Sequence, residues 1–428
     1  MNKTPSLHPV ILREAGVDPV GRGRLDACLH SGLETVFPAA VLLVTRRDDV
    51  VFHRACGYLD PETRHRPTHS DSLFDLASLT KLFTVTAFMT LVEAGRVGLG
   101  TPVAEVLAEF TGTHPIGPTE DPLTKTVIPP DPLFAGQKVD ASAITFWHLL
   151  THTSGLSAWR SLYREDGEQE AGNKKPETTV PLPHQIPPAL RAHRIEAIYE
   201  QYGFAYPPGA RIVYSDLGFI LLGEAVARLA GVPLEVYMRQ AVLEPLGLRA
   251  TTYNPLANGF SREQIVPTEF CAWRRRRCAG EVHDENSTSL GGVAGHAGLF
   301  STAAEVATLG QLYLNGGVHT EAHILRPETV AEMVRVQAGG DDNPRGLGWL
   351  QRSSGYSSSG HRFGPRSFGH TGFTGTSLWV DPGQELIVVL LTNRVYYGRD
   401  PQPIHDFRPC LHDTVVEALS VTARQPVL

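Results

Sequence analysis

Lysine is scarce in this chain of 428 residues. Only Lys3, Lys81, Lys125, Lys138, Lys174 and Lys175 occur, and the rest of the 38 basic residues are arginines. A guanidinium keeps its proton at working pH and cannot serve as a base, so any amine chemistry must come from one of these six. Like charges do not run together either. The longest basic cluster, Arg274-Arg275-Arg276-Arg277, is four residues long and net charge is −7. That excludes an electrostatic footprint for nucleic acid, and the cluster reads as a solvated loop. No stretch approaches the roughly 18 apolar residues of a membrane span. The first nine residues have no apolar segment, so no secretory signal peptide is expected. The five cysteines are odd in number and scattered. That argues against a disulfide framework and fits a reduced, cytoplasmic location. Cys271 and Cys278 match no usual zinc spacing, and no metal is expected.

What is present is a chain long enough for a large core, with 42% hydrophobic residues. Strand-like runs lie at both ends. Residues 39–45 and 50–55 flank the turn Arg46-Arg47-Asp48-Asp49, and residues 374–380 and 386–392 flank Asp381-Pro382-Gly383. Helical patterns fall within 10–35, 78–93, 144–156 and the run after Tyr214, with a closing helix over 408–422. The two ends must then pair into one antiparallel sheet with a helical region inserted, an α+β arrangement. The expected division is residues 1–75 with 325–428 around the sheet, and 76–324 mainly helical. Two Pro-rich polar stretches, 111–140 and 164–190, read as insertions that could shape or cover a cleft.

Chemistry concentrates at Ser78-Leu79-Thr80-Lys81. Serine and lysine three apart on a helix lie on one face, one turn from each other. At a helix mouth the amine reaches the hydroxyl, and free backbone N–H groups stand ready for an anion. Lys81 is the only lysine with a serine three residues before it. An ordinary amphipathic helix with a surface lysine is the alternative. Two further elements count against it: Tyr214-Ser215-Asp216 after a Pro-Gly turn, and His370-Thr371-Gly372 before a strand.

With Ser-x-x-Lys, Tyr-x-Asp and His-Thr-Gly in that order, residues 35–425 resemble the serine β-lactamase and penicillin-binding-protein clan. The branch it resembles holds class C β-lactamases, D-alanyl-D-alanine carboxypeptidases, D-aminopeptidases and β-lactamase-like esterases. The resemblance implies a β-lactamase/transpeptidase-like fold of the α/β sandwich type, with the site between sheet and helical region and no cofactor. It implies Ser78 as nucleophile of an acyl-enzyme. Lys81, desolvated and with a lowered pKa, and Tyr214 are implied as the proton-handling pair. The backbone N–H groups of Ser78 and Phe373 are implied as the oxyanion hole. His370, Thr371, Gly372, Asp216 and His296 are implied at the substrate, with His370 binding or polarising a carbonyl or carboxylate; its alternative role is to anchor a sheet edge.

Two departures bear on specificity. Asp216 stands where many relatives have asparagine, and a carboxylate accepts hydrogen bonds without donating any. His370 stands where efficient lactamases have lysine. Both favour a carboxylesterase or D-amino-acid peptidase acting on a small ester, amide or peptide. A class C-type β-lactamase, a transacylase and a penicillin-binding sensor without turnover are the alternatives. His152, His283 and Asp284 read as loop-ordering or cleft-lining residues. Trp159, Tyr163, Trp273 and Trp349 are read as packing before any acyl pocket.

Overall fold

The computed structural model describes residues 17–164, 180–201 and 203–421. Its centre is a six-stranded antiparallel sheet. In chain order the strands are β1 (Ala39–Arg46), β2 (Asp49–Gly57), β3 (Leu350–Gln351), β4 (Phe368–Thr371), β5 (Ser377–Asp381) and β6 (Leu386–Thr392). In space the order is β3-β4-β5-β6-β1-β2, so the two ends of the chain meet where β1 pairs with β6, Leu42 opposite Leu390. The β1–β2 turn has Arg47 and Asp48 at positive φ, 53° and 66°. Two such residues are what a tight two-residue hairpin requires.

The sheet is buried on both faces, and its central strands therefore read as unbroken apolar runs. Alternate residues go to different layers, as strand geometry demands. Val41, Leu43, Ile387, Val389 and Leu391 belong to the main core. Ala40, Leu42, Val44, Leu386, Val388 and Leu390 belong to a second core, with Leu25 and Leu29 of α1 (Pro19–Ser31) and with residues of the closing helix. That helix runs Gln402–Val421, starting six residues before the expected 408. The Asp400 carboxylate accepts from Gln402 N–H and starts it, and Pro409 lies inside it.

The main core holds the helices that carry the site. These are α2 (Thr80–Glu93), α3 (Asp216–Ala230) and α4 (Ala303–Leu314); the closing helix is α5. α2 is buried almost all round, and its polar Thr84 Oγ1 is satisfied by the Gly295 carbonyl at 2.8 Å. Ser215 caps α3 through Gly218 N–H, and Gly231 ends it at φ 73°. The insertion at 111–140 is two small hairpins, one pairing Thr113–Pro115 with Lys138–Asp140 and one pairing Thr119–Glu120 with Val127–Ile128. Of the expected insertion at 164–190, residues 165–179 lie outside the described residues, and Pro188–Gln201 forms a helix across its end. The Arg274–Arg277 cluster is not a solvated loop. Arg274 is buried on the carbonyls of Val282 and His283, Arg276 pairs with Glu281, and Arg277 lies over the Tyr396 ring. No single helix among the described residues is long and apolar enough to cross a membrane.

Candidate active site

Ser78 sits in a sharp connection between the short strand Phe74–Asp75 and α2. Ala77, just before it, is held at φ 47°, a conformation a side chain adopts only under constraint. One turn on, Lys81 is fully buried, and its Nζ donates to Ser78 Oγ at 2.8 Å. The same ammonium donates to Asp216 Oδ1 at 2.7 Å and to the His296 carbonyl at 3.2 Å. Three acceptors satisfy its three donors.

This arrangement corrects the expected protonation of Lys81. Burial pushes the amine down, but the Asp216 carboxylate, with Tyr214, more than offsets it, and the amine is held above its ordinary value. The sequence reading counted desolvation and missed the counter-ion, which lies 135 residues away. Tyr214 is half-buried beside the pair and interacts with both Ser78 and Lys81, whose Nζ is 4.7 Å from the ring centre. Burial raises its pKa and the Lys81 charge opposes that without reversing it. At rest the site thus holds an ammonium and a phenol.

The Tyr214 loop is fixed by His152. The His152 ring stacks 4.7 Å from Tyr214 and 5.1 Å from Phe219, and its Nδ1 accepts from Ser215 N–H at 3.1 Å. His152 backbone O takes Val213 N–H at 2.8 Å, and Asp216 N–H bonds the Ala158 carbonyl at 2.9 Å. His152 is therefore a loop-ordering residue.

His370, Thr371 and Gly372 stand at the end of β4. His370 is buried, and its Nδ1 donates to the Thr371 carbonyl at 2.8 Å. Burial, Lys81 and Arg345 press its pKa down to about 3. The ring is neutral, with Nε2 left as an acceptor that no described residue meets. It can accept a hydrogen bond, but it has neither charge nor proton to offer a carboxylate. Gly372 is required by contact: a Cβ there would lie 2.6 Å from the Leu76 carbonyl oxygen. Beyond it, the N–H groups of Phe373 and Ser78 make no hydrogen bond among the described residues.

His296 is 1% exposed and lines the cavity, with its Nε2 donating to Asp284 Oδ1 at 2.9 Å. Its ring is a wall and its carbonyl an anchor for Lys81. Asp216, Asp284 and His296 place ligand atoms within 4.8 Å of one another, and so do Glu269, Cys271 and Glu285. In the first group Lys81 already holds Asp216, and in the second Arg399 bridges both glutamates.

Around Ser78 lies a cavity of about 600 Å³. Its walls include Tyr214, with His370 and Arg345 beside its ring, and Arg408. They also include Phe373, with His283 stacked on it, Arg399, Trp159 and the hairpin residues Leu123 and Lys125. Tyr163 and Trp273 pack behind Trp159, and Trp349 is in the core against Tyr313. Sequence reasoning missed Arg345, Arg408 and Asp75. Asp75 left a signal, a charge between Phe74 and Leu76 in an apolar run; nothing in the sequence separates Arg345 from the other arginines.

A family model described as Beta-lactamase matches residues 25–408. A protein of Salmonella agona named "Putative D-alanyl-D-alanine carboxypeptidase" is 29% identical over 404 residues, covering 89% of this chain and 84% of that protein. Among solved structures, "EstCE1, a hydrolase with promiscuous acyltransferase activity" aligns with a TM-score of 0.64 at 22% identity, over 91% of this chain and 98% of that one. A penicillin-binding-protein homologue from Caulobacter crescentus aligns with a TM-score of 0.63 at 18% identity, over 94% of this chain and 99% of that one.

Proposed function

The chain belongs to the beta-lactamase family and is a serine hydrolase of the peptidase or esterase kind; on that premise we propose that it cleaves an ester or amide whose leaving group carries a carboxylate, through an acyl-enzyme on Ser78. The observation that carries the substrate class is Arg345. It is 9% exposed, lines the cavity, and lies 5.7 Å from the Tyr214 ring centre. Its Nε donates to Asn343 Oδ1 at 3.1 Å, and its terminal nitrogens meet no carboxylate among the described residues. Burial lowers its pKa to about 10, so it stays charged. A buried guanidinium without a counter-ion is costly, and an anionic ligand would supply the missing partner. The terminal residue of a D-amino-acid peptide is such a leaving group.

The chemistry follows from the contacts. Ser78 Oγ attacks the carbonyl, and its proton passes to Lys81 Nζ in the fraction of the enzyme whose amine is neutral. The N–H groups of Ser78 and Phe373 take the developing oxyanion. Tyr214 gives its hydroxyl proton to the departing oxygen or nitrogen and recovers one from Lys81. Water then attacks the acyl-serine by the reverse path, restoring the Ser78 hydroxyl, the Lys81 amine and the Tyr214 phenol.

The test is labelling. A fluorophosphonate and a fluorescent penicillin are offered to wild type and Ser78→Ala, with p-nitrophenyl ester turnover followed in parallel. Wild type is expected to gain one adduct, mapped to Ser78, and turnover to fall by about 10⁴-fold or more in Ser78→Ala. An adduct on another residue, or turnover that survives the substitution, contradicts the proposal.

A further inference from the structure

Asp75 belongs to none of the three motifs and is 2% exposed, and both hydrogen bonds to its carboxylate come from backbone. Oδ1 accepts from Ala77 N–H at 2.8 Å and Oδ2 from His283 N–H at 2.6 Å. The first bond holds the residue at φ 47° that presents Ser78. The second holds the residue whose ring stacks on Phe373, 5.4 Å between centres and 28° between planes. The same stretch ties to the β4–β5 turn directly. Thr374 Oγ1 donates to the Asp75 carbonyl at 2.8 Å and Thr376 Oγ1 to the Leu76 carbonyl at 2.9 Å. Both N–H groups proposed for the oxyanion, on Ser78 and Phe373, thus hang from Asp75–Leu76.

We infer that Asp75 is a positioning residue of the oxyanion hole, setting the spacing between the Ser78 and Phe373 N–H groups through Ala77 on one side and His283 on the other. The inference rests on the acyl-serine reading above. A buried carboxylate bonded only to backbone N–H groups is a poor stabiliser, so its value lies in geometry. Two acceptor oxygens on one rigid group fix two backbone segments at once. An amide cannot do this, because its NH₂ would face a backbone N–H.

The test compares Asp75→Asn with wild type by kcat and KM on a p-nitrophenyl ester and by the inhibition constant of an arylboronic acid. The boronate forms a tetrahedral adduct with an oxygen in the oxyanion position; a product carboxylate serves as the ground-state control. Displacing a donor is expected to cost less than removing one outright, so kcat and boronate affinity should fall together by about 10–100-fold. KM and product affinity should stay within about 3-fold, with kcat read well below the variant's Tm, which falls because one buried N–H loses its acceptor. A boronate affinity that does not change, or a loss confined to KM or Tm, overturns the inference. Thr374→Val keeps the carboxylate and removes one tie; it should show the same split at smaller size, and an unchanged kcat there also counts against it. Fluorophosphonate labelling of Ser78 in both variants separates this failure from failure of the acyl-serine reading: wild type unlabelled at Ser78 would sink the reading itself.

Discussion

The cavity wall carries arginines beside Phe373 and beside Tyr214, yet the two are matched differently. Around His283, whose ring stacks on Phe373, Arg399 bridges Glu269 and Glu285, and His283 meets Glu269 at 3.2 Å. Arg394 there lies 4.7 Å from the Phe373 ring centre and gives Nη1 to the Asp400 carbonyl. Beside Tyr214, Arg345 meets no carboxylate among the described residues; Arg408 is buried on the carbonyls of Gly372 and Thr376. A cation already matched inside the protein is architecture. A cation left unmatched in a cavity costs stability until a ligand arrives. The difference teaches where to look for the substrate's charge, and it can be broken by substitution.

Removing Arg399 should leave the mostly buried Glu285 unpaired and Glu269 with His283 alone, and cost on the order of 3 kcal/mol of stability. Removing Arg345 should leave stability nearly unchanged or raise it. Urea unfolding of Arg399→Ala and Arg345→Ala checks this, and equal losses would erase the distinction. Next in size is the pH dependence of acylation. Asp216 holds Lys81 above its ordinary value, so in Asp216→Asn burial dominates and the amine pKa falls. The rising limb of kcat/KM should move to lower pH by about one unit or more, equivalent to about 1.4 kcal/mol per unit. A limb that stays in place would show that this ion pair does not set the working base. The smallest effect concerns His370. Its folded pKa, about 3, lies below the unfolded value near 6.5. Below about 6.5 the unfolded chain therefore binds a proton the folded chain refuses, and stability falls as pH drops. Arg345 is one cause of that refusal, so Tm should fall less steeply between pH 6.5 and 4 in Arg345→Ala. Parallel curves would mean that the guanidinium and the ring do not sense each other.

Legibility followed sequence distance. Ser78 and Lys81 share one helical turn, and the strands at 39–57 and 377–392 announce themselves by apolar runs, so motif and sheet were readable. Tyr214 and His370 were readable only as an ordered set that resembles a family. The Lys81–Asp216 bond was not, although both residues were named, because nothing local tells an amine which carboxylate folds against it. Arg274–Arg277 failed for a related reason: four adjacent arginines look solvated until the carbonyls of Val282 and His283 and the Glu281 carboxylate are brought to them. Asp75 stood in plain view three residues before Ser78, and its worth lies in Ala77 N–H and His283 N–H, which only the fold places together.

The most direct measurement is a ratio. kcat/KM is taken for meta-acetoxybenzoate and for its methyl ester, a pair alike in acyl group and differing in charge on the leaving group. The account predicts that wild type favours the carboxylate and that Arg345→Ala loses about 10–100-fold on it, the worth of a charge-assisted contact of roughly 1.5–3 kcal/mol, while the methyl ester changes little. A wild-type preference for the neutral ester, or an equal loss on both substrates, would contradict it.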